Sequence, residues 1–172
     1  MPGWVNVDCR PLPGVDVVCD LEQIPWPWKD NSVDEILMSH CLEHLDDPMG
    51  AVKEISRILK PGGIVNVYLP NFSGSMVAAI GHKHPFSVVW CRQMSGEAGA
   101  EHNQNYDRLP LEMVRLKLNC IWYRCGLHPH WLARLVIRCL EGYFNRSPRY
   151  QDAWEIIGLC HPQEIHWTVR KI

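Results

Sequence analysis

Four short apolar runs in the N-terminal part of the chain constrain its fold more than any other feature. The runs WVNVD, VDVVCD, VDEILMS and IVNVYLP occupy Trp4–Asp8, Val15–Asp20, Val33–Ser39 and Ile64–Pro70. They are rich in β-branched residues and are separated by turn sequences such as RPLPG and KDNS, so each run predicts a β-strand. Short strands that alternate with turns and helices predict an α/β fold, with a mostly parallel central sheet and helices on both faces.

A helix is predicted between the third and fourth runs. Asp47 suits the N-cap position, and Pro48 suits the first helical position. The sequence KPGG at residues 60–63 marks the end of the helical pattern. The apolar residues between these two signals keep helical spacing, and they are Ala51, Val52, Ile55, Ile58 and Leu59.

The composition is that of an ordinary globular domain. With 172 residues, of which 47% are hydrophobic and 21% are charged, we expect a single domain over 1–172. The net charge of −2 gives no electrostatic reason to expect nucleic acid or an anionic membrane as a partner. The sequence has neither an apolar run of about 18 residues nor a secretory signal pattern, so we expect a cytoplasmic protein. Its eight cysteines form no C-x-x-C pair and are predicted to be reduced.

The chain is predicted to have three parts: a cofactor-side core at 1–71, an irregular lid or substrate segment at 72–109, and helices with a hairpin at 110–172. In the third part, apolar spacing predicts one helix from Leu111 to Gly126 and another over Pro129–Tyr143. The runs WEIIGLC and EIHWTVRK predict an antiparallel hairpin across HPQ. The second helix carries an apolar stripe that would pack on the sheet or on a second subunit, which leaves room for a homo-oligomer.

Polar residues follow each predicted strand at the point where it ends. They are Asp8, Asp20, Ser39 with His40, and Asn71. Because the carboxyl ends of parallel strands meet at one edge of a sheet, we expect these side chains to form a ligand site. Each residue taken alone could serve a turn or a helix cap instead. The occurrence of such residues at four strand ends favours the site.

The stretch SHCLEHL also fits H-x-x-E-H, the pattern of an inverted zinc-peptidase helix. That chemistry needs His40 and His44 on one continuous helix, with Glu43 activating a metal-bound water. Ser39 leaves a strand and a new helix begins soon afterwards, so we expect the match to be accidental and predict no metal site. Nor do we expect a metal at the other cluster of potential ligands, Cys120, Cys125, His128 and His130.

The run from Gly3 to Asn71 resembles the core of a class I S-adenosylmethionine-dependent methyltransferase of the type-11 kind, with its elements in the same order. This resemblance implies a Rossmann-like fold and S-adenosyl-L-methionine as cofactor. Asp8 would bind the ribose, and Asp20 with Leu21 would contact the adenine. Ser39 and His40 would lie beside the cofactor. The predicted hairpin would supply the family's antiparallel sixth and seventh strands.

One element of that family has no counterpart in the sequence. The family's first strand runs into a glycine-rich loop that approaches the cofactor, whereas this sequence begins just before the second strand. We therefore expect the first strand to be missing from the sheet. We also expect the chain to be N-terminally short, with the strand and the loop encoded upstream.

The function implied by the resemblance is methyl transfer to an acceptor, with a small molecule or a sugar favoured. His40 is the candidate general base, because an imidazole titrates near neutral pH. A structural hydrogen bond to the following helix is the alternative role for His40. The alternative for the whole chain is a non-catalytic methyltransferase-like protein or partner subunit. The candidate residues on the acceptor side are Asn71, His82, His84, His102, Asn103 and Tyr106.

Overall fold

The computed structural model describes residues 3–96, 109–120, 131–157 and 162–172. Short 3-10 turns lie at Leu42–His44 and Ser75–Ala78. The strands and helices, in chain order, are β1 (Val7–Asp8), β2 (Val17–Val18), β3 (Val33–Ser39), α1 (Pro48–Ile58), β4 (Leu59–Pro70), α2 (Val88–Met94), β5 (Leu111–Asn119), α3 (Trp131–Phe144), α4 (Pro148–Ile157) and β6 (Glu164–Lys171).

The main sheet has four strands in the order β3-β4-β6-β5. Strands β3 and β4 are parallel, whereas β6 runs antiparallel to both of its neighbours. Strands β1 and β2 form a separate two-stranded parallel sheet. The predicted α/β class is confirmed, but the sheet is mixed and not mostly parallel, because β6 returns between β4 and β5 in the opposite direction.

The sheet has one apolar face and one polar face. The register places an apolar row across all four strands, formed by Met38, Val67, Trp167 and Leu116. The next row faces the other way and is polar, formed by Ser39, Tyr68, His166 and Lys117. Although helices were predicted on both faces, α1 and α2 both pack their buried residues into the core on the apolar face.

The capping signals of α1 predicted its start correctly. The Asp47 side chain accepts a hydrogen bond from the Gly50 amide at 2.8 Å, and Pro48 is the first helical residue. Helix α2 lies in the segment that was predicted to be irregular. Its N-cap, Ser87, accepts a hydrogen bond from the Trp90 amide at 3.2 Å. With only seven residues, α2 is too short to show a clear helical period in the sequence.

The predicted helix from Leu111 to Gly126 is wrong over its described part, which is strand β5. A β-bulge explains the error. Met113 pairs with Val169 and Arg115 pairs with Thr168, so Val114 is an extra residue without a cross-strand partner. Leu111 and Met113 therefore share a face with Leu116 and Leu118, and the break in alternation resembles helical spacing.

Side chains from α4 and from the turn after α3 cover the outer edge of β5. Asn145 accepts a hydrogen bond from the Leu118 amide at 2.7 Å and donates one to the Leu118 carbonyl at 2.8 Å. Gln151 donates to the Leu116 carbonyl at 2.8 Å. Such cover satisfies backbone groups that an edge strand otherwise leaves open to pairing with another chain.

The predictions for the last sixty residues were partly right. Helix α3 lies where the second helix was predicted, and EIHWTVRK forms β6. The predicted strand WEIIGLC is wrong over 154–157, which belong to α4, and its remaining residues lie outside the described ranges. Strand β6 pairs instead with β4 and β5. No helix in the described part of the chain is long and apolar enough to cross a bilayer.

Candidate functional site

The two predicted nucleoside-binding carboxylates lie at the ends of neighbouring strands. Asp8 ends β1, and its carbonyl accepts a hydrogen bond from the amide of Cys19, the residue that follows β2. The Asp8 carboxylate accepts from the Arg10 amide at 2.8 Å, and this hydrogen bond is the main cause of its lowered pKa. Asp20 accepts from the Glu22 amide at 3.1 Å. Both aspartates therefore shape turns, as the alternative interpretation predicted.

The end of β3 lies close to Asp8 and to the loop after β2. The pKa of the Cys41 thiol is raised to about 11, chiefly by burial and then by the negative charges of Glu43, Asp8 and Glu22. Glu22 also accepts a hydrogen bond from the Asp46 amide at 2.8 Å. The loop after β2 is thus tied to the segment after β3, and polar residues from three strand ends share one region.

His40, the residue that follows β3, bridges two buried carboxylates. Its Nδ1 lies 3.2 Å from Glu43 Oε1, and its Nε2 lies 3.1 Å from Glu164 Oε2. The hydrogen bond to Glu164, followed by that to Glu43, raises the pKa of His40 to about 9. The ring is therefore an imidazolium at neutral pH, with both N–H groups donated to carboxylates. That arrangement opposes the predicted role of His40 as a general base.

Sequence reasoning did not find the importance of Glu43 and Glu164. Glu43 is fully buried, and Glu164 is 3% exposed. Glu164 is the first residue of β6 and also accepts a hydrogen bond from the Asn119 side chain at 3.3 Å. The spacing of Glu164 gave no signal, because its contact with His40 joins residues 124 positions apart. Glu43 is only three residues from His40, but the sequence suggested it only as part of the zinc-peptidase motif.

The predicted acceptor-side residues fall into three groups. Asn71 is fully buried, and its side chain is hydrogen-bonded to Glu155 and Ser73. These contacts are those of a residue that stabilises the fold. His82 and His84 lie near the end of β3, where His84 Nε2 is 3.3 Å from the Asp46 carbonyl. The remaining candidates lie outside the described residues, and they are His102, Asn103 and Tyr106.

The smaller cofactor-side predictions can also be placed. Leu21 is half-buried against the core, and its carbonyl accepts a hydrogen bond from the Trp26 indole at 3.1 Å. Ser39 is exposed at the end of β3, on the polar face of the sheet. Both are near the carboxyl end of a strand, as predicted.

The zinc-peptidase arrangement is not formed. His40 precedes the 3-10 turn at Leu42–His44, and both of its ring nitrogens are engaged by carboxylates. The histidines of the motif therefore do not lie on one continuous helix. A different group does come together, because Glu43, His44 and His82 each offer a potential ligand atom within 4.8 Å of the others.

Comparison with known proteins points to methyltransferases. Residues 6–67 match the family model of the type-11 methyltransferase domain. The crystal structure of an S-adenosylmethionine-dependent methyltransferase from Archaeoglobus fulgidus superposes on this chain with a TM-score of 0.51. The superposition covers 92% of this chain and 68% of that one, at 17% identity. The chain has a class I methyltransferase fold. A candidate sarcosine dimethylglycine methyltransferase from Galdieria sulphuraria shares this methyltransferase fold, with a TM-score of 0.53 and 19% identity over 89% of this chain and 57% of that one.

A curated relative covers part of the same methyltransferase fold. The uncharacterised protein YafE of Escherichia coli K12 is 28% identical over 83 residues, which are 46% of this chain and 34% of that protein. The chain thus matches only about a third of the length of this relative. The matched family region, 6–67, contains Asp8, Asp20 and the His40 bridge with Glu43.

Proposed function

We propose that this chain takes part in methyl transfer from S-adenosylmethionine to a small-molecule or sugar acceptor. The observation that carries the proposal is the pair of carboxylates, Asp8 and Asp20, at the ends of the adjacent parallel strands β1 and β2. Ligands of open α/β sheets bind outside the carboxyl ends of the strands. The family match over 6–67 supports the same assignment.

The residues present fit the nucleoside half of this cofactor. Ribose hydroxyls and the adenine amine are hydrogen-bond donors, so they need acceptors such as carboxylate oxygens. The Asp8 side chain is 34% exposed and Asp20 is exposed, so a ligand can reach both. In this assignment Asp8 binds the ribose, Asp20 binds the adenine amine, and Leu21 supplies an apolar contact to the base.

S-adenosylmethionine supplies a methyl group on a sulfonium, which is electrophilic without further activation. The protein's main task is then to orient the acceptor toward that group. We assign His40 a positioning role and not that of the base, because both of its nitrogens are bonded to Glu43 and Glu164. His82 and His84, close to the end of β3, are the described acceptor-side candidates.

The test is a calorimetric titration of S-adenosylmethionine into the full chain and three variants. Asp8→Asn and Asp20→Asn should each weaken binding about tenfold or more, since a hydrogen bond to a charged group contributes about 1.5–3 kcal/mol. Asp34→Asn is the matched control, because Asp34 lies at the opposite end of β3 and pairs with Lys60. Its affinity should equal that of the unmodified chain.

Two outcomes would contradict the proposal. One is the absence of saturable binding by a folded chain, and the other is an equal loss of affinity in Asp34→Asn. Release of S-adenosylhomocysteine in the presence of trial acceptors separates transfer from binding alone. If the chain binds S-adenosylmethionine but none of the trial acceptors leads to release of S-adenosylhomocysteine, the non-catalytic alternative is supported.

A further inference from the structure

Three side chains meet beside the end of β3, and one of them, His82, is also an acceptor-side candidate of the proposed function. Glu43 and His44 belong to the 3-10 turn that follows this strand, and His82 comes from the loop after the second 3-10 turn. One potential ligand atom from each residue lies within 4.8 Å of the other two. The loop is held against the turn, since the Lys83 amide donates to the Glu43 carbonyl at 2.7 Å.

Two buried polar atoms of this group have no hydrogen-bond partner within the described part of the chain. They are Glu43 Oε2 and His82 Nδ1. Glu43 is fully buried, and the side chain of His82 is only 8% exposed. A buried polar group without a partner costs about 1–3 kcal/mol, so two together require an explanation. A bound cation would supply a partner for both types of atom.

His44 is oriented in the way that metal-binding histidines commonly are. Its Nδ1 lies 2.9 Å from the Gly81 carbonyl, so this nitrogen carries the proton and donates it. The lone pair of Nε2 is then available to a ligand, as in sites where a backbone carbonyl fixes the tautomer of the ligating ring. The His44 and His82 rings meet edge to face with their centroids 4.8 Å apart.

The second oxygen of Glu43 is fixed in a similar way. Glu43 Oε1 lies 3.2 Å from His40 Nδ1, which orients the carboxylate and leaves Oε2 as its unpartnered atom. Glu164 engages the other nitrogen of His40 at 3.1 Å. Two buried carboxyl groups thus lie beside the single ring of His40, which holds the Glu43 side chain in place.

We propose that Glu43, His44 and His82 bind a divalent transition-metal ion, with zinc as the ion that best suits the donor set. Two imidazoles and one carboxylate match a common three-ligand set for zinc, whereas magnesium and calcium prefer oxygen ligands. This proposal differs from the zinc-peptidase interpretation of H-x-x-E-H in the residues that bind the metal. Glu43 and His44 are ligands, but the third comes from His82, and His40 orients the carboxylate.

The test is a zinc titration of the full chain after removal of metals with a chelator. The unmodified chain should bind one equivalent at this site. Because even the loss of a residue that only supports a ligand costs 10–100-fold in metal affinity, His44→Ala and His82→Ala should each weaken binding at least about tenfold. Cobalt in place of zinc provides a spectroscopic check, since its visible absorption bands report nitrogen ligands and should change in both variants.

His84→Ala is the matched control. His84 lies two residues from His82 in the same loop but contacts the Asp46 carbonyl, so its removal should leave zinc affinity unchanged. Circular dichroism of each variant before titration shows whether it is folded. His44 is exposed, so His44→Ala should fold even if His82→Ala does not.

Three results would overturn the proposal. They are no saturable zinc binding by the folded chain, undiminished binding in His44→Ala, and an equal loss in His84→Ala. The measurement is independent of S-adenosylmethionine, so failure of the metal site would leave the proposed methyl transfer standing. Failure of cofactor binding would likewise leave the metal site standing.

Discussion

His40 connects distant parts of the chain through a single side chain. Its amide donates to the Tyr68 carbonyl of β4, and its ring joins Glu43 in the turn after β3 to Glu164 at the start of β6. Its φ of +50° lies in the left-handed region, which is uncommon for residues other than glycine. Such a conformation persists where surrounding contacts hold it, and here the two carboxylates supply them.

Replacing His40 should therefore destabilise the protein. His40→Ala leaves two buried carboxylates without their cationic partner and should lower the free energy of unfolding by about 3 kcal/mol. His40→Gly removes the same charge but accepts the left-handed backbone, so it should be less destabilising by about 1 kcal/mol.

Urea unfolding of both His40 variants measures these differences, with His84→Ala as a control that should change stability by less than about 1 kcal/mol. Stability of His40→Ala equal to that of the unmodified chain would show that His40 does not hold the strand ends together.

At the scale of single residues, the sequence predicted positions better than interactions. Asp8, Asp20 and Ser39 lie at strand ends because that placement follows from the local alternation of apolar and polar residues. The distant partners of His40 and Asn71 could not be predicted, since Glu164 and Glu155 come from the far end of the chain. Burial made Asn71 a structural residue, although its position alone resembled that of a ligand contact.

Helix α1 is tied to the loop that precedes β3 through one carboxylate. Glu54 accepts a hydrogen bond from the Trp26 amide at 2.7 Å and is paired with Arg57 at 2.7 Å. Arg57 in turn bonds to Asp30 and to the carbonyls of Trp26 and Trp28. The helix and the loop are therefore expected to unfold together.

The Glu54 contacts predict a specific dependence of stability on pH. The hydrogen bond from Arg57, followed by that from the Trp26 amide, lowers the pKa of Glu54 below 4.5. Because the folded pKa is the lower one, this contribution to stability is present above pH 4.5 and is lost as the pH falls through the folded pKa.

Urea unfolding at several pH values, with Glu54→Gln beside the unmodified chain, tests this. The variant should be less stable near pH 6 by about 1–3 kcal/mol, and the difference should shrink toward pH 3. A difference that stays constant over this range would show that the ionised carboxylate does not contribute.

Among the elements, capping residues and long apolar runs were predictable, whereas β5 and α4 were not. The caps of α1 act locally, so Asp47 and Pro48 were sufficient to place its start. The bulge in β5 disrupts the two-residue period on which strand prediction depends. Helix α4 contains WEII, whose residues suit a strand, but Trp154 is fully buried and stacks on Phe144 of α3 at 4.9 Å.

The described part of the molecule is organised around one hydrophobic core. That core takes buried residues from the central sheet and from three helices, as shown by Met38, Val52, Val67, Cys91, Leu118, Trp154 and Trp167. The loop before β3 joins the same core through Trp26, which is 5% exposed. No described element supplies a second core of comparable size.

A shared core predicts cooperative unfolding of the chain. The thermal transition followed by near-ultraviolet circular dichroism, which reports the packing of the tryptophans, should coincide with the far-ultraviolet transition, which reports secondary structure. Two separated transitions would instead mean that the segments 1–71 and 110–172 fold as distinct units, against the single domain predicted from the sequence.

At this scale, the sequence predicted the fold class but not the order of the strands. Alternation of apolar runs with turns and helices is enough to indicate α/β architecture. Pairing of β6 between β4 and β5 depends on contacts between distant parts of the chain, which local patterns do not encode. The apolar row through Val67 and Trp167 becomes recognisable only once that pairing is known.

The bulge in β5 also bears on how this sequence can change in evolution. Without Val114, the strand would alternate without interruption, with Leu111, Met113, Leu116 and Leu118 on one face and polar residues on the other. Deletion of Val114 therefore preserves the identity of both faces. Deletion of a residue from the regular part of β5 would turn every later side chain to the wrong face. Natural variation in the length of this strand should accordingly be confined to the position of the bulge.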